Sequence, residues 1–385
     1  MIRMLALIAL TIAAIPSTAP QISVDCNAGQ SLNHTLSTLD KHTPVTVSVN
    51  GTCTEYVQIV GFEGLTLKGL PGAALHQPAG GAGNLLNSLL LIESSRSVTV
   101  DGFSVQADTV TAPAIGIGHG SSDVRLRNLT IQGGTEGIII FERSQVSIAY
   151  VTAQDPGYTT LGVYDLSDVH VERSLFQDTT GALWHTGMDA GASHITIYDT
   201  IIRNMQIGMN AYAGGIIDVG TFNTYYPLGG PTDVVIESPA RTNYNGISVM
   251  GGSSVNLASA KVRITNPGQT WGGSTGGVLV SSGSSFNAGA NLVVTGSQGQ
   301  GVFVTNNSHA DLDGSSITGS QHGGLVVVNQ SSLAVGSTHP LTTITANTTD
   351  LFCDSRSLMT GSANIGNATT IQCPNLLPGD TVPIP

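Results

Sequence analysis

The chain has 385 residues, 48 of them glycine, and carries 13 Lys plus Arg against 25 Asp plus Glu for a formal net charge of −12. Its only lysines are Lys41, Lys68 and Lys261, so it lacks the basic patch that neutralises phosphates, and nucleic-acid binding is excluded. With 40% hydrophobic and only 10% charged residues, the chain can bury a large core, which excludes disorder, and its wealth of Gly, Ser, Thr and Val speaks against a helical bundle.

Residues 1–19 read as a secretory signal peptide. Arg3 supplies the positive n-region, Leu5 to Ile15 an apolar stretch shorter than a typical spanning helix, and Ser17-Thr18-Ala19 a small-residue cleavage site. An N-terminal membrane anchor is the competing reading. No later segment has the apolar length of a span, so the mature chain is expected to be exported, secreted or periplasmic, or held at the cell surface.

Residues 20–70 form an expected N-terminal cap and first strands. Leu32, Leu36 and Leu39 repeat at helical spacing and predict a short amphipathic lid. Short alternating segments follow at 45–49, 57–59 and 65–67. The four cysteines fall into two local groups, Cys26 with Cys53 and Cys353 with Cys373. In an exported chain this predicts two disulfides. Three pairings are possible on paper, and the clustering favours the local one. No CxxC or close Cys/His spacing supports zinc.

Residues 71–375 repeat. Apolar-x-apolar triplets stand at Ile115, Ile138, Leu161, Ala182, Ile207, Ile247, Val278, Val302 and Leu325, spaced by 21–25 residues in six of eight intervals. Alternation within each triplet is the period of a half-buried strand. No helical segment separates the strands, which argues against βαβ units. A unit this short cannot bury its apolar face alone and must stack on its neighbours. The expected fold is an all-β solenoid of about eleven coils of roughly 23 residues, and with coils about 4.8 Å apart the rod is roughly 50 Å long. Residues 376–385 are left as a C-terminal tail.

The order of capping helix, strand, Gly51-Thr-Cys-Thr-Glu55, strand and Gly64-Leu-Thr-Leu-Lys-Gly69 resembles the start of the pectin lyase-like superfamily of right-handed parallel β-helices. The resemblance extends through the coils to about residue 375. It implies a fold rather than a chemistry, because the superfamily includes lyases, hydrolases, esterases, epimerases, tailspikes and non-catalytic surface proteins. It also implies that a polysaccharide would lie along the outer face of one sheet. Gly118-His119-Gly120 matches part of the polygalacturonase pattern, and Gln177-Asp178-Thr179 part of the pectin methylesterase pattern, but the remaining motifs of both are missing.

Polar and aromatic groups gather beyond the middle strands: His119, Glu142, Arg143, Tyr164, Asp165, His185, Asp189, Asn210 and Tyr212. Tyr225 and Tyr226 in one insertion, and Trp271 in another, are candidates for stacking on sugar rings. Elimination from a uronic-acid polysaccharide needs a carboxylate clamp, a base and an acid. Arg143 or Arg203 suits the clamp or base, and Tyr164 or His185 the proton transfer. Calcium, the one candidate cofactor, would sit on Asp165 and Asp189; the plain alternative is that these aspartates cap turns. Hydrolysis would use Glu142 and Asp165, on equivalent positions one coil apart, near the spacing of a retaining pair. His185 is expected to point outward into the groove, although a one-residue slip would bury it. The sequence therefore predicts a secreted β-helix that binds or degrades polysaccharide, with a lyase as the enzyme reading. Its rival is a non-catalytic, adhesin-like rod that binds cell-surface glycans.

Overall fold

The computed structural model describes residues 19–80, 88–181, 185–220, 233–237, 245–257, 261–266, 276–336, 341–366 and 371–373. The leader expected over 1–19 lies outside these residues except for Ala19, as does the tail 376–385. No helix among the described residues is long and apolar enough to cross a membrane.

Strands of mostly three to six residues alternate buried and half-buried positions, as in Val45–Asn50. They assemble into three sheets of 14, 13 and 13 strands among the described residues, in which each strand pairs with its equivalents one coil before and after. We call these sheet 1 (which contains Val124–Arg127), sheet 2 (Ile115–Gly118) and sheet 3 (Thr130–Gln132). Their pairings are parallel; Ile115 and Ile117, for example, face Ile138 and Ile140. This is a parallel β-solenoid, close to the expectation of about eleven coils, and the cap strands Gln21–Asp25 and Val45–Asn50 already belong to sheet 1. The inward residues stack into continuous columns, and Ile115, Ile138, Leu161, Met188, Met209 and Ile247 are all fully buried. At about 25 cal/mol per Å² of apolar surface removed from water, such columns supply the main driving force for stacking.

The register corrects the sequence reading in one coil pair. Leu161 and Val163 face Met188 and Ala190, which in turn face Met209 and Ala211. The triplets predicted at Ala182 and Ile207 are therefore displaced. Gly-apolar-x-apolar occurs twice in the first of these coils, at Gly181-Ala-Leu-Trp184 and Gly187-Met-Asp-Ala190, and the later copy forms the core; in the second, the core pair Met209 and Ala211 lies two residues beyond the predicted start. Residues 182–184 lie outside the described set.

The corner from sheet 2 to sheet 1 is the most regular part of each coil. It uses residues with positive φ, among them His119, Glu142, Arg143, Asp165, Leu166, Asn306 and Asn307. Left-handed backbone disfavours residues with a Cβ, but here the corner amides remain in the intercoil ladder: Gly120 N–H donates to Glu142 O at 2.8 Å, and Arg143 N–H to Asp165 O at 2.9 Å. A buried serine follows many of these corners. Ser121 Oγ donates to Gly118 O at 2.8 Å, closing its own corner, and accepts from Ser95 N–H at 3.2 Å, joining the preceding coil. The same coil-to-coil bond recurs from Ser253 N–H to Ser284 Oγ, Ser284 N–H to Ser308 Oγ and Ser308 N–H to Ser331 Oγ.

The helix Leu32–Thr38 closes the first coil, burying Leu32 and Leu36. Glu55 holds its start, accepting from Ser31 Oγ at 2.7 Å and Leu32 N–H at 2.6 Å, where a carboxylate also complements the helix dipole. Disulfides join Cys26 to Cys53 and Cys353 to Cys373, the local pairing.

On the outside of sheet 1, His194 bridges two carboxylates, with Nδ1 2.9 Å from Asp168 and Nε2 3.0 Å from Asp218. The Asp168 hydrogen bond, aided by Asp218 against partial burial, raises the imidazole from its ordinary 6.5 to about 8. The same bond lowers Asp168.

Two outcomes are expected. Ser121→Ala leaves the buried Ser95 amide without its partner and removes one of the two hydrogen bonds to Gly118 O, and should cost about 1–2 kcal/mol in urea unfolding, whereas alanine at exposed Ser104 should be neutral. The His194 bridge contributes fully below pH about 6.5 and is lost as pH rises through about 8; the Asp168 side is lost on acidification. Thermal stability followed from pH 6 to 9 should therefore fall less in His194→Ala than in the unmodified chain, by no more than about 1 kcal/mol for a pair this exposed.

Candidate functional site

The outer face of sheet 2 changes character along the rod. Its central column runs Gly116, Ile139, Gly162, Asp189, Asn210, Ser248, Leu279, Phe303, Val326 and Phe352. The corrected register places Asp189 and Asn210 here, where the sequence reading had Leu183 and Gly208. The one acid in the column is therefore at mid-rod.

Beside it, at the edge of sheet 2, stand Phe141, Tyr164, Gly191 and Tyr212. Tyr164 is paired with Gly191, and Gly191 with Tyr212. Glycine is needed beneath these rings. A Cβ on Gly162 would lie 2.6 Å from the Tyr164 hydroxyl, and one on Gly191 would lie 3.0 Å from both Tyr164 Cδ1 and Tyr212 Cζ. The tyrosines thus fold back across the sheet. With Phe141, Asp165, Ala192 and Ala213 they line an open cleft of about 470 Å³. A second depression, of about 360 Å³ around His76, Gln106 and Asp108, contains no Phe, Tyr or Trp.

Asp189 is the pivot of the site. Asn210 Nδ2 donates to its Oδ1 at 2.9 Å and Thr159 Oγ1 to its Oδ2 at 3.0 Å. Burial nevertheless raises its carboxyl above the usual range; the two hydrogen bonds oppose that rise and the charge of Glu136 adds to it. Burial likewise raises Tyr164 and Tyr212, and the Asp189 charge adds to both, so the phenols stay protonated as donors. A carboxyl held towards its neutral form at the edge of an aromatic cleft is equipped to give up a proton.

His119, Glu142, Arg143 and Asp165 occupy the exposed corner beside the cleft. His119 lies between Glu93, at 3.2 Å, and Glu142, with which it pairs closely. Glu142 and Asp165 do hold equivalent positions on adjacent coils, but Glu142 is engaged by His119. Arg203 belongs to sheet 3 and binds Glu237 at 2.8 Å, away from the cleft. The outward placing of His185 is overturned. It precedes the strand Thr186–Gly191 and is buried, with Nδ1 3.2 Å from the fully buried Asp178. The bond from Gln206 N–H to His185 O fixes that position.

Asp165 and Asp189 lie on neighbouring coils but three register positions apart, and both Asp189 oxygens already accept hydrogen bonds. Among the described residues, the one group of three His, Cys, Asp or Glu ligand atoms within 4.8 Å of one another is Cys26, Cys53 and Glu55, whose sulfurs are joined in the disulfide. Tyr225, Tyr226 and Trp271 lie outside the described residues. Phe141 is not among the candidates from the sequence, where an apolar ring next to a core triplet looks like part of the core. Its signal was positional: Phe141, Tyr164 and Tyr212 each directly follow the last apolar residue of a core triplet.

Among solved structures, the chain is similar to the catalytic domain of a GH87 alpha-1,3-glucanase variant in complex with nigerose, at 10% identity and a TM-score of 0.55, covering 96% of this chain and 69% of that one. The likeness is one of fold: this chain is a parallel β-helix. Two further β-helix comparisons are more distant. A family 28 exopolygalacturonase of Yersinia enterocolitica matches at 11% identity and a TM-score of 0.40, over 96% and 80% of the two chains. PfbA, a surface adhesin of Streptococcus pneumoniae, matches at 11% identity and 0.29, over 84% and 79%. No protein-family model matches the sequence, and no curated protein does.

The raised Asp189 carboxyl has a consequence for stability. Because the native state binds its proton more tightly than the unfolded chain does, stability falls as pH rises from the ordinary carboxylate range through the elevated native value. Asp189→Asn removes this loss. The variant should equal or exceed the unmodified chain in melting temperature at pH 7, and the advantage should vanish near pH 3.

Proposed function

We propose that this β-helix binds a neutral polysaccharide across the Phe141–Tyr164–Tyr212 edge of sheet 2 and hydrolyses it, with Asp189 as general acid. The observation that carries this reading is the part-buried Asp189, whose carboxyl is pushed above its ordinary range by desolvation, beside an aromatic cleft floored by Gly162 and Gly191. Aromatic rings offer flat apolar surface to the C–H faces of sugars, while tyrosine hydroxyls reach sugar hydroxyls. Protonated Asp189 delivers its proton to the glycosidic oxygen, and the leaving sugar departs as an alcohol. Asp165, an exposed carboxylate on the cleft wall, takes a proton from the attacking water.

The register favours inversion. Asp165 lies one strand over and three residues along from Asp189, which separates their Cα atoms by about 11 Å. That spacing suits the wider arrangement, with a water between the carboxyl groups, rather than the retaining pair expected from the sequence.

Charge favours a neutral substrate over a uronic one. Glu93, Glu136, Glu142, Asp165 and Asp189 surround the region, and Arg143 is the cation on the same corner. Elimination from a uronic chain would require its carboxylates to approach this acidic wall. The shared scaffold also serves as the catalytic domain of a glucanase, and two disulfides suit an exported protein acting outside the cell.

The test is a panel of neutral glucans, galactans and mannans beside uronic-acid polymers, scored for reducing ends and for unsaturated products. Reducing ends from a neutral polymer are expected, with kcat falling at least about 100-fold in Asp189→Asn while binding persists. Tyr164→Ala and Phe141→Ala should instead weaken binding, by about 1–3 kcal/mol each on the scale of aromatic burial. Unsaturated uronic products would replace this reading with elimination. Binding that Asp189→Asn leaves intact, with no turnover anywhere on the panel, would leave a glycan-binding rod.

A further inference from the structure

A second polar cluster lies apart from the cleft, at the corner where sheet 3 returns to sheet 2, and it is buried. Asp178 is fully buried and directly follows the sheet 3 strand Leu175–Gln177; His185, buried as well, precedes the sheet 2 strand Thr186–Gly191. Asp178 Oδ1 accepts from Thr180 N–H at 2.8 Å, Thr180 Oγ1 at 2.7 Å and Gly181 N–H at 3.1 Å, which fixes the carboxylate plane. Its other oxygen, Oδ2, has no hydrogen-bond partner, nor has His185 Nδ1, although the two are 3.2 Å apart. They are close but not aligned for a hydrogen bond. From the next coil, Asn204 Nδ2 donates to Asp178 O at 3.0 Å, while Asn204 Oδ1 is buried and also unpartnered.

Unpaired buried polar atoms cost free energy, and well-folded chains seldom leave several together. A hydrogen bond would align the His185 and Asp178 atoms, whereas two ligands of one ion need only their separation and not that alignment. Ligands held about 2.0–2.1 Å from a tetrahedral ion lie roughly 3.3 Å apart, close to the separation seen. A donor set of imidazole nitrogen, carboxylate oxygen and amide oxygen suits a first-row divalent ion better than calcium or magnesium, which prefer all-oxygen shells.

We propose that Asp178 Oδ2, His185 Nδ1 and Asn204 Oδ1 bind a first-row divalent metal ion, for which Zn²⁺ is the probe. The ion ties the ends of the 178–185 crossover to the following coil and so holds the strand that carries Asp189. The site is structural and stands whether or not the cleft is catalytic.

The experiment uses the purified full chain, stripped with a chelator and desalted. Its cysteines are all in disulfides among the described residues, so thiols do not compete for zinc. One Zn²⁺ per chain should survive gel filtration and raise the melting temperature, and Co²⁺ should give the intense visible bands of a tetrahedral site. Asp178→Asn and His185→Gln should each weaken Zn²⁺ binding at least about tenfold, while His194→Gln, at the exposed histidine–aspartate bridge, should leave it unchanged. Should the first two variants fail to fold, Asn204→Ala and the Co²⁺ spectrum of the unmodified chain decide the matter. No retained zinc, an octahedral Co²⁺ spectrum, or binding abolished by His194→Gln but kept in His185→Gln would each overturn the site and leave Asp178 and His185 as an ion pair only.

Discussion

Coil-to-coil registration is the constraint on which the rest of this molecule depends. Each strand satisfies its backbone on both sides by pairing with equivalents one turn away, so a slip in one coil would turn its core residues outward and break three ladders at once. The corner serines reinforce the register at its most vulnerable point. A short hydroxyl buried beneath a left-handed turn closes that turn and accepts an amide from the coil before it. An alanine would leave the amide unpaired. The high serine content, which looks like surface polarity in the sequence, is therefore partly a core requirement.

Much of the fold could be read from the sequence because a solenoid repeats its grammar. Ile115, Ile138 and Leu161 were found at their true positions, as were the cap leucines Leu32 and Leu36 and both disulfides. Reading failed at Asp189, and for a physical reason. An outward acid in the middle of a strand does not change the alternation that identifies the strand, yet Gly181-Ala-Leu-Trp184 offers the same pattern a few residues earlier with a more hydrophobic face. Tertiary pairing chose the later copy, which moved Asp189 onto the column and His185 into the interior.

The candidate site was legible as a region but not as an arrangement. Sequence spacing gathered His119, Glu142, Arg143, Tyr164 and Asp165 on neighbouring coils, and they do share one corner. It gave no means of separating corner residues that pair with each other, such as His119 and Glu142, from side chains that reach back over the sheet. That distinction rests on the glycines. Only where Gly162 and Gly191 remove a Cβ can Tyr164 and Tyr212 lie across the strands, near enough to feel the Asp189 charge. Low charge density elsewhere lets this small change in solvation dominate the local electrostatics.

The three corners of a coil are not equivalent. Between sheets 2 and 1 the connection is short throughout, as from Tyr164 to Asp168, Tyr212 to Ile216 and Val304 to His309. Extra length enters at the other two corners, as between Val219 and Val234 and between Thr265 and Gly276. The rod thus behaves as a ruler whose graduations are fixed along one edge while the opposite edges accept inserted sequence. Sequence can be added or removed there without altering the spacing of side chains along the sheet 2 edge.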